Sequence, residues 1–321
     1  MLLSIIIPIY NSNLYLGKCL DSVLSQIGPD EELILIDDKS TDDSLKTCLQ
    51  KKSNNIDKNI ILINKDKNNG VAHSRNIGLK KASGRYILWI DSDDWVCETY
   101  IYDIKKIIGQ TNADIILFDY YIRTNKTNKR LYLSNKQQTG YIEKIDIMTD
   151  VAQDKFYSYL WRIVAKKKLY KNITFPTKLN MMEDYMIYHL LFDNAITYFY
   201  IKKPLYYYRV LNNSLSHKQQ NTLTLYNITL YREEFFRKKY LNIAAKYRLC
   251  PVLVSGSFVI GNKDLTDQPY GNFKHLIRKH LLFLLTRPYI KNKIKFKFIL
   301  LAISIKLFKN LKMIYKKIKH I

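Results

Sequence analysis

The chain is expected to be an α/β protein, a mostly parallel sheet with flanking helices, and three observations lead there. Short apolar runs alternate with helix-patterned stretches through the first 120 residues. Two of those runs end in paired or clustered aspartates, Asp37-Asp38 and Asp91-Ser92-Asp93-Asp94. In such sheets ligands bind outside the carboxyl ends of the strands, so both acid groups face one crevice.

The elements follow in order. Residues 4–9 are a short apolar run, followed by Leu16, Leu20, Val23 and Leu24 at helical spacing. Residues 32–36 form a second strand that stops at Asp37-Asp38, residues 42–52 a helix, and residues 60–63 a third strand. A helix over 71–82 ends near Gly84, and the buried strand 86–90 delivers the aspartates. Residues 114–118 are a further strand, and 123–140, rich in Asn, Lys, Thr and Gln, form an exposed loop or hairpin. A polar, tyrosine-rich region runs to about residue 215. From 222 onward the pattern is mainly helical, interrupted near Pro251, at 264–271 and near Pro288, with no internal repeat.

Composition narrows the classes. A chain of 321 residues with 47% hydrophobic and 25% charged residues buries a good core, which excludes global disorder. Cys19, Cys48, Cys97 and Cys250 form no metal-ligand spacing and fit a reducing compartment. Neither a signal peptide nor an apolar run long enough to span a bilayer is expected, so a cytoplasmic protein is. The net charge of +24 is uneven: from Gln268 to Ile321 there are 14 Lys and Arg and no acid. There Lys306, Lys309, Lys312, Lys316 and Lys319 recur beside Leu307, Leu311, Ile314 and Ile318. That amphipathic basic helix suits the anionic inner face of the cell membrane, where the protein is expected to bind peripherally. The alternative is a helix that packs its apolar face on the protein with its lysines solvated.

Four segments carry the chemistry. Carboxylates as close as Asp91, Asp93 and Asp94 repel one another and call for a cation, with oxygen ligands suited to Mg²⁺ or Mn²⁺; the bland reading is an acidic turn or helix cap. An acid following a strand, as in Asp37-Asp38, accepts a hydrogen bond from the imide of a uracil, while Ser40 or Asp42 caps the next helix. Tyr10, at the end of the first strand, offers a ring to a base or simply packs. Arg75, early in its helix, offers paired donors to a diphosphate, whereas Asn76 and Gly78 serve turn and packing needs and His73 packs locally. In the second half Glu183-Asp184 precedes a helical pattern through Ile187, Leu190 and Leu191. One carboxylate there takes the proton of an attacking hydroxyl, or both merely complement the helix dipole.

Taken together, the segments resemble family 2 glycosyltransferases of the GT-A, Rossmann-like fold. The match runs through Pro8, Tyr10-Asn11, Asp37-Asp38, Asn69-Gly70, Arg75-Asn76, Gly78, Gly84 and Asp91–Asp94. It continues more loosely through Trp161, Met182-Glu183-Asp184, Leu205–Arg209 and Asn213–Ser216. The nearest resemblance is to bacterial enzymes that build capsule or lipooligosaccharide chains. It implies a metal-dependent inverting transfer of a hexose or N-acetylhexosamine from a UDP-sugar to a glycan or lipid-linked glycan. Asp38 and Tyr10 would hold the uracil, with Pro8, Asn11, Asn69, Arg75 and Ser92 completing the donor site. Asp91 would touch the ribose, Asp93 would ligate Mn²⁺ or Mg²⁺ with Asp91 and Asp94 beside it, and Asp184 would be the base with Glu183 at the acceptor. Lys39 departs from the pattern, since the family usually has glycine there. The expected division is a nucleotide-sugar half at 1–105, an acceptor half at 106–220 and a basic helical region at 221–321.

Two other classes remain in view. A nucleotidyltransferase usually carries a Gly-rich loop after its first strand, where Asn11-Ser12-Asn13 stands here. A basic membrane- or nucleic-acid-binding module accounts for the charge but not for the acids at strand ends, and no nucleic acid partner is expected.

Overall fold

The computed structural model describes residues 1–124, 128–131, 138–153, 158–179, 182–211, 222–243, 278, 281–282, 285–286 and 292–304. The chain divides into two compact units, Met1–Lys218 and Gln219–Ile321.

The first unit is built on one sheet whose strand order is β3-β2-β1-β4-β9-β6-β10-β5, with β7 beside β6 and β8 beside β10. Its opening strands, β1 (Leu3–Ile9), β2 (Glu31–Asp37), β3 (Ile60–Asn64) and β4 (Tyr86–Trp89), are all parallel to their neighbours among these four. Helices α1 (Asn13–Leu24), α2 (Ser44–Ser53) and α3 (Val71–Lys81) connect them. β1, β2 and β4 are buried almost throughout because helices cover both faces of a parallel sheet. The register pairs Ile9 with Asp37 and Asp37 with Asn64. Tyr10, Asp38 and Lys65 therefore leave the sheet side by side, and the chain switches direction between β1 and β4, where such sheets open a crevice.

Two close approaches set this geometry. A Cβ on Gly78 would stand 2.4 Å from Ile6 Cγ2, so α3 lies on β1 at a distance only glycine permits. A Cβ on Gly84 would meet the Ser4 backbone nitrogen at 2.5 Å. Buried Glu32 holds that turn by accepting hydrogen bonds from Ser83 N at 2.6 Å, Ser83 Oγ at 2.9 Å and Gly84 N at 3.1 Å. Burial alone would raise the Glu32 pKa; these donors, with Ser4 Oγ, lower it below the usual carboxylate value.

Beyond β4 the sheet becomes mixed. β9 (Ile163–Lys166) enters antiparallel between β4 and β6 (Ile115–Arg123), while β6 runs parallel to the long β10 (Tyr198–Arg209). The mostly parallel expectation thus describes the first four strands. The tyrosine-rich stretch read as polar supplies β8 (Gly140–Ile142), β9 and β10, and Tyr198, Tyr200 and Tyr206 are fully buried. β10 carries an irregularity around Pro204, which has no N–H for the ladder. Its last part pairs antiparallel with β5 (Trp95–Val96), Tyr207 opposite Trp95. α4 (Tyr100–Thr111) buries Tyr100, Ile101, Ile104 and Ile108 and ends on left-handed Asn112. The predicted hairpin at 123–140 is represented by β7 (Asn128–Leu131), antiparallel to β6. α5 (Lys144–Ala152) and α6 (Glu183–Asn194) complete the unit. One sheet thus runs through both sides of residue 105.

In the second unit α7 (Thr222–Lys239) carries a Glu234–Lys238 ion pair one turn apart. Residues Asn292–Ile303 form a helix that buries Phe298, Leu301 and Ala302. The basic stripe Lys306–Lys319 lies outside the described residues, as do Asn213–Ser216. Among the described residues no helix is long and apolar enough to cross a membrane.

Candidate active site

Several of the candidate residues stand at or just beyond the carboxyl ends of β1, β2 and β4. Tyr10 is 49% exposed at the end of β1, free to present its ring. Pro8 is half-buried where β1 has stopped pairing with β4, whose last partner is Ile6, so its missing N–H leaves no ladder gap on that side. Asn11, in a left-handed conformation (φ 47°), donates its backbone N–H to Ser40 Oγ at 3.1 Å and accepts from Thr41 N at 2.8 Å. It therefore ties the β1 and β2 loops together. Lys39 in that second loop has φ 61°, the region in which glycine is unstrained.

The paired acids after β2 separate by role. Asp37 turns inward and accepts from Ser40 N at 3.0 Å. Asp38 Oδ1 takes the Lys65 ammonium in a buried ion pair and the Asn69 backbone N–H at 2.9 Å; its Oδ2 has no partner among the described residues. Lys65 went unnoticed in the sequence, yet it follows β3 as Asp38 follows β2, and parallel register makes them neighbours.

The acid turn is sorted in the same way. Asp94 is 1% exposed and both its oxygens are engaged, Oδ2 by Tyr206 Oη at 2.9 Å and Oδ1 by Arg209 N at 2.7 Å. Burial first, then the Asp93 and Asp91 charges, push its pKa well up. Asp93 is half-buried, and its carboxylate has no hydrogen-bond partner from another residue among the described residues; burial, then Asp91, raises its pKa to about 6. Asp91 accepts from Arg75 Nη2 at 3.4 Å through Oδ1, leaving its second oxygen unpartnered among the described residues. Ser92 is half-buried between them.

Arg75 is the keystone. It is 6% exposed, pairs through Nη1 with the buried Glu183 carboxylate and through Nη2 with Asp91, and its Nε has no partner among the described residues. Burial lowers its pKa, but Glu183, Asp91 and Asp184 more than restore it. The sequence reading aimed Arg75 at a diphosphate; the structure spends two of its donors joining segments 108 residues apart. Asn76 assists by exchanging two hydrogen bonds of 2.9 Å with the Phe175 backbone.

Glu183 and Asp184 open α6 behind Met182, which is left-handed at φ 67°. Asp184 is half-buried and accepts from Tyr185 N at 2.7 Å through Oδ1, with Oδ2 unpartnered among the described residues. Burial first and the Glu183 charge second raise its pKa to about 7, against the pull of Arg75. A carboxylate with that pKa is poised to take a proton at neutral pH. Asn180 and Met181, which precede this pair, lie outside the described residues.

A cation fits this donor set. Among the described residues no three His, Cys, Asp or Glu converge into a closed cluster. Asp93, with the spare oxygen of Asp91, would supply the one or two carboxylates that a divalent ion needs when phosphate oxygens complete its shell.

Comparison with known proteins decides the family. The model for "Glycosyl transferase family 2" matches residues 4–203. The chain belongs to family 2 of the glycosyltransferases. It is 29% identical over 225 residues to glycosyltransferase GlyA of Streptococcus pneumoniae, covering 67% of this chain and 31% of GlyA. To the minor teichoic acid biosynthesis protein GgaB of Bacillus subtilis it is 32% identical over 225 residues, 67% of this chain and 24% of GgaB. The chain therefore spans about a third or less of these two relatives. Among solved structures, S. aureus TarS 1-349 in complex with UDP-GlcNAc superposes with a TM-score of 0.73 at 18% identity, over 99% of this chain and 92% of that one. That likeness gives the GT-A fold.

Proposed function

We propose that this glycosyltransferase is metal-dependent and inverting, moving a hexose or N-acetylhexosamine from a UDP-sugar to a hydroxyl of a surface glycan. The observation that supports the reading is the Arg75 bridge, which ties Asp91 of the acid turn to Glu183 of the acid pair, each a near neighbour of an acid with an oxygen to spare.

The roles follow from what each side chain leaves free. Tyr10 stacks on the uracil and the open oxygen of Asp38 accepts its imide N–H, while Lys65 and Asn69 fix the Asp38 rotamer. Pro8 and Asn11 shape the loop, and Ser92 and Asp91 face the ribose. Asp93 holds a Mn²⁺ or Mg²⁺ ion, with Asp91 as second ligand and Asp94 as the anchor of the turn rather than a ligand. Such an ion, when bound, neutralises the departing diphosphate. Asp184 accepts the proton of the acceptor hydroxyl as its oxygen bonds to the anomeric carbon and the bond to the diphosphate oxygen breaks. Glu183 holds Arg75 in place. The acceptor belongs to the capsule or lipooligosaccharide class, or, as the name of GgaB suggests, to the teichoic acids. Membrane contact through the basic tail would bring the enzyme to lipid-linked acceptors.

The test is thermal stabilisation by UDP and by UDP-GlcNAc, UDP-glucose and UDP-galactose, with and without Mn²⁺. We expect a Mn²⁺-dependent rise with UDP and one UDP-sugar, absent in Asp93→Ala. No rise with any nucleotide in folded protein would remove the donor assignment.

A further inference from the structure

A second cluster borders the acid turn, and of its side chains none takes part in the roles above. Trp95 on β5 stacks on Tyr207 of β10, with centroids 4.9 Å apart and planes 7° from parallel, and Tyr207 stacks in turn on Tyr121 of β6 at 5.0 Å. Three cations gather on this platform. Lys18 Nζ sits 3.7 Å from the Trp95 centroid, and the Arg209 guanidinium lies 4.7 Å from Trp95 and 4.6 Å from Tyr15. Arg123 on β6 stands opposite Arg209 on β10 in the strand register, and its charge, after burial and Arg209, lowers the Lys18 pKa. Arg209 is fixed at the catalytic edge, its Nε donating to the Asp93 carbonyl at 2.8 Å.

Like charges gathered this closely cost free energy unless an anion joins them. Among the described residues none of the three forms an ion pair with a carboxylate, and the terminal guanidinium nitrogens of Arg209 have no partner. Lys18 and Arg123 are exposed and Trp95 is half-buried, so the platform faces solvent. The rival basic site, a cavity of about 740 Å³ near Gly84 and Tyr170, differs in this respect. There Lys166 and Lys168 pair with Asp114, and Lys167 donates to the Ala82 carbonyl. Lys166 and Lys168 thus have a carboxylate counter-charge, which Lys18, Arg123 and Arg209 lack among the described residues.

We propose that Lys18, Arg123 and Arg209, on the Trp95–Tyr207 platform, form a subsite for a phosphate-bearing acceptor chain. A phosphodiester of the acceptor docks on the cations and its next unit lies along the rings, while the hydroxyl to be glycosylated reaches toward Asp184. This rests on the glycosyltransferase reading and deepens it by naming the acceptor chemistry.

The probe is a synthetic tetramer of glycerol phosphate, titrated into the full chain by calorimetry without donor, with maltotetraose as the neutral control. Wild type is expected to bind the tetramer and not maltotetraose. Lys18→Gln/Arg123→Gln should weaken tetramer binding about tenfold or more, as expected for loss of two charge-assisted contacts. Equal affinity in wild type and double variant, or no tetramer binding at all, overturns the subsite. Phosphatidylglycerol vesicles form the second arm: vesicle binding lost in the double variant, without tetramer binding in wild type, assigns the cluster to a membrane and also overturns it. The Mn²⁺-dependent UDP-sugar shift is read on the same double variant. Its retention with tetramer affinity lost supports the subsite; its absence from wild type faults the donor reading separately.

Discussion

The acid turn after β4 and the acid pair opening α6 solve one problem in the same way. Each places two neighbouring aspartate or glutamate residues at an element end, and each commits one of them to the protein. Asp94 is consumed by Tyr206 and Arg209, and Glu183 by Arg75. Their neighbours Asp93 and Asp184 keep carboxylate oxygens without protein partners among the described residues, and both have raised pKa values, to about 6 and about 7. A free acid in a partly buried site is held in position by an adjacent acid that is not free. The comparison therefore predicts that the committed acids govern stability and the uncommitted ones turnover.

The largest effect should come from Asp184→Asn. General-base loss typically costs about 10²–10⁴-fold in rate, so kcat should fall that far while the UDP-sugar shift stays intact. The pH profile sharpens the point. Asp184 acts only when deprotonated, so kcat/KM should rise with pH and level off above about 7. Stability moves the opposite way. Its folded pKa lies above the unfolded value near 3.8, so the folded state binds the extra proton, and this contribution is present at low pH and lost as pH rises toward 7. A profile flat between pH 5 and 8 would move the base elsewhere.

Glu183→Gln should break the other member of that pair. Removing one partner of a buried ion pair costs about 3–5 kcal/mol because the other charge stays buried. Asp91 still faces Arg75, so we expect the lower end, about 3 kcal/mol, in urea unfolding. A cost below about 1 kcal/mol, the range of exposed pairs, would mean that Asp91 alone holds Arg75.

At the acid turn the same contrast is smaller. Asp94→Ala leaves Tyr206 Oη and Arg209 N without their acceptors, at about 1–3 kcal/mol for each buried group. Asp93→Ala removes a charge that Asp91 and burial disfavour, so the melting temperature at pH 7.5 should hold or rise even as metal-dependent turnover disappears. Equal destabilisation by both substitutions would dissolve the distinction between anchor and ligand.

Legibility divides along the same line. The strand ends of the first half could be read directly because parallel buried strands are continuous apolar runs, and the acids that follow them interrupt the pattern. Asp37, Asp38 and Asp91–Asp94 all emerge where that pattern puts them. The partners of those acids were harder to see. Tyr206 and Arg209 lie more than 100 residues away, on a strand whose buried face is built of tyrosines, which a polarity-based reading treats as half-exposed. Arg75 was found, but a lone arginine early in a helix gives no sign that Glu183, 108 residues on, will pair with it.

Backbone strain offers the smallest and most discriminating test. Met182 sits at φ 67° and ψ 22° directly before the acid pair. A residue with a Cβ pays about 1–2 kcal/mol for that conformation, and glycine avoids the penalty while losing about 0.5–1 kcal/mol through its freer unfolded chain. Met182→Gly should therefore gain about 0.5 kcal/mol, the difference of those terms, read as a small rise in melting temperature. Lys39→Gly, at φ 61° in the β2 loop, is the matched control away from the base. If both stabilise but only Met182→Gly lowers kcat, the strained turn aims Asp184, and rigidity before α6 is part of the site. If neither affects kcat, the Arg75–Glu183 pair alone fixes where Asp184 stands.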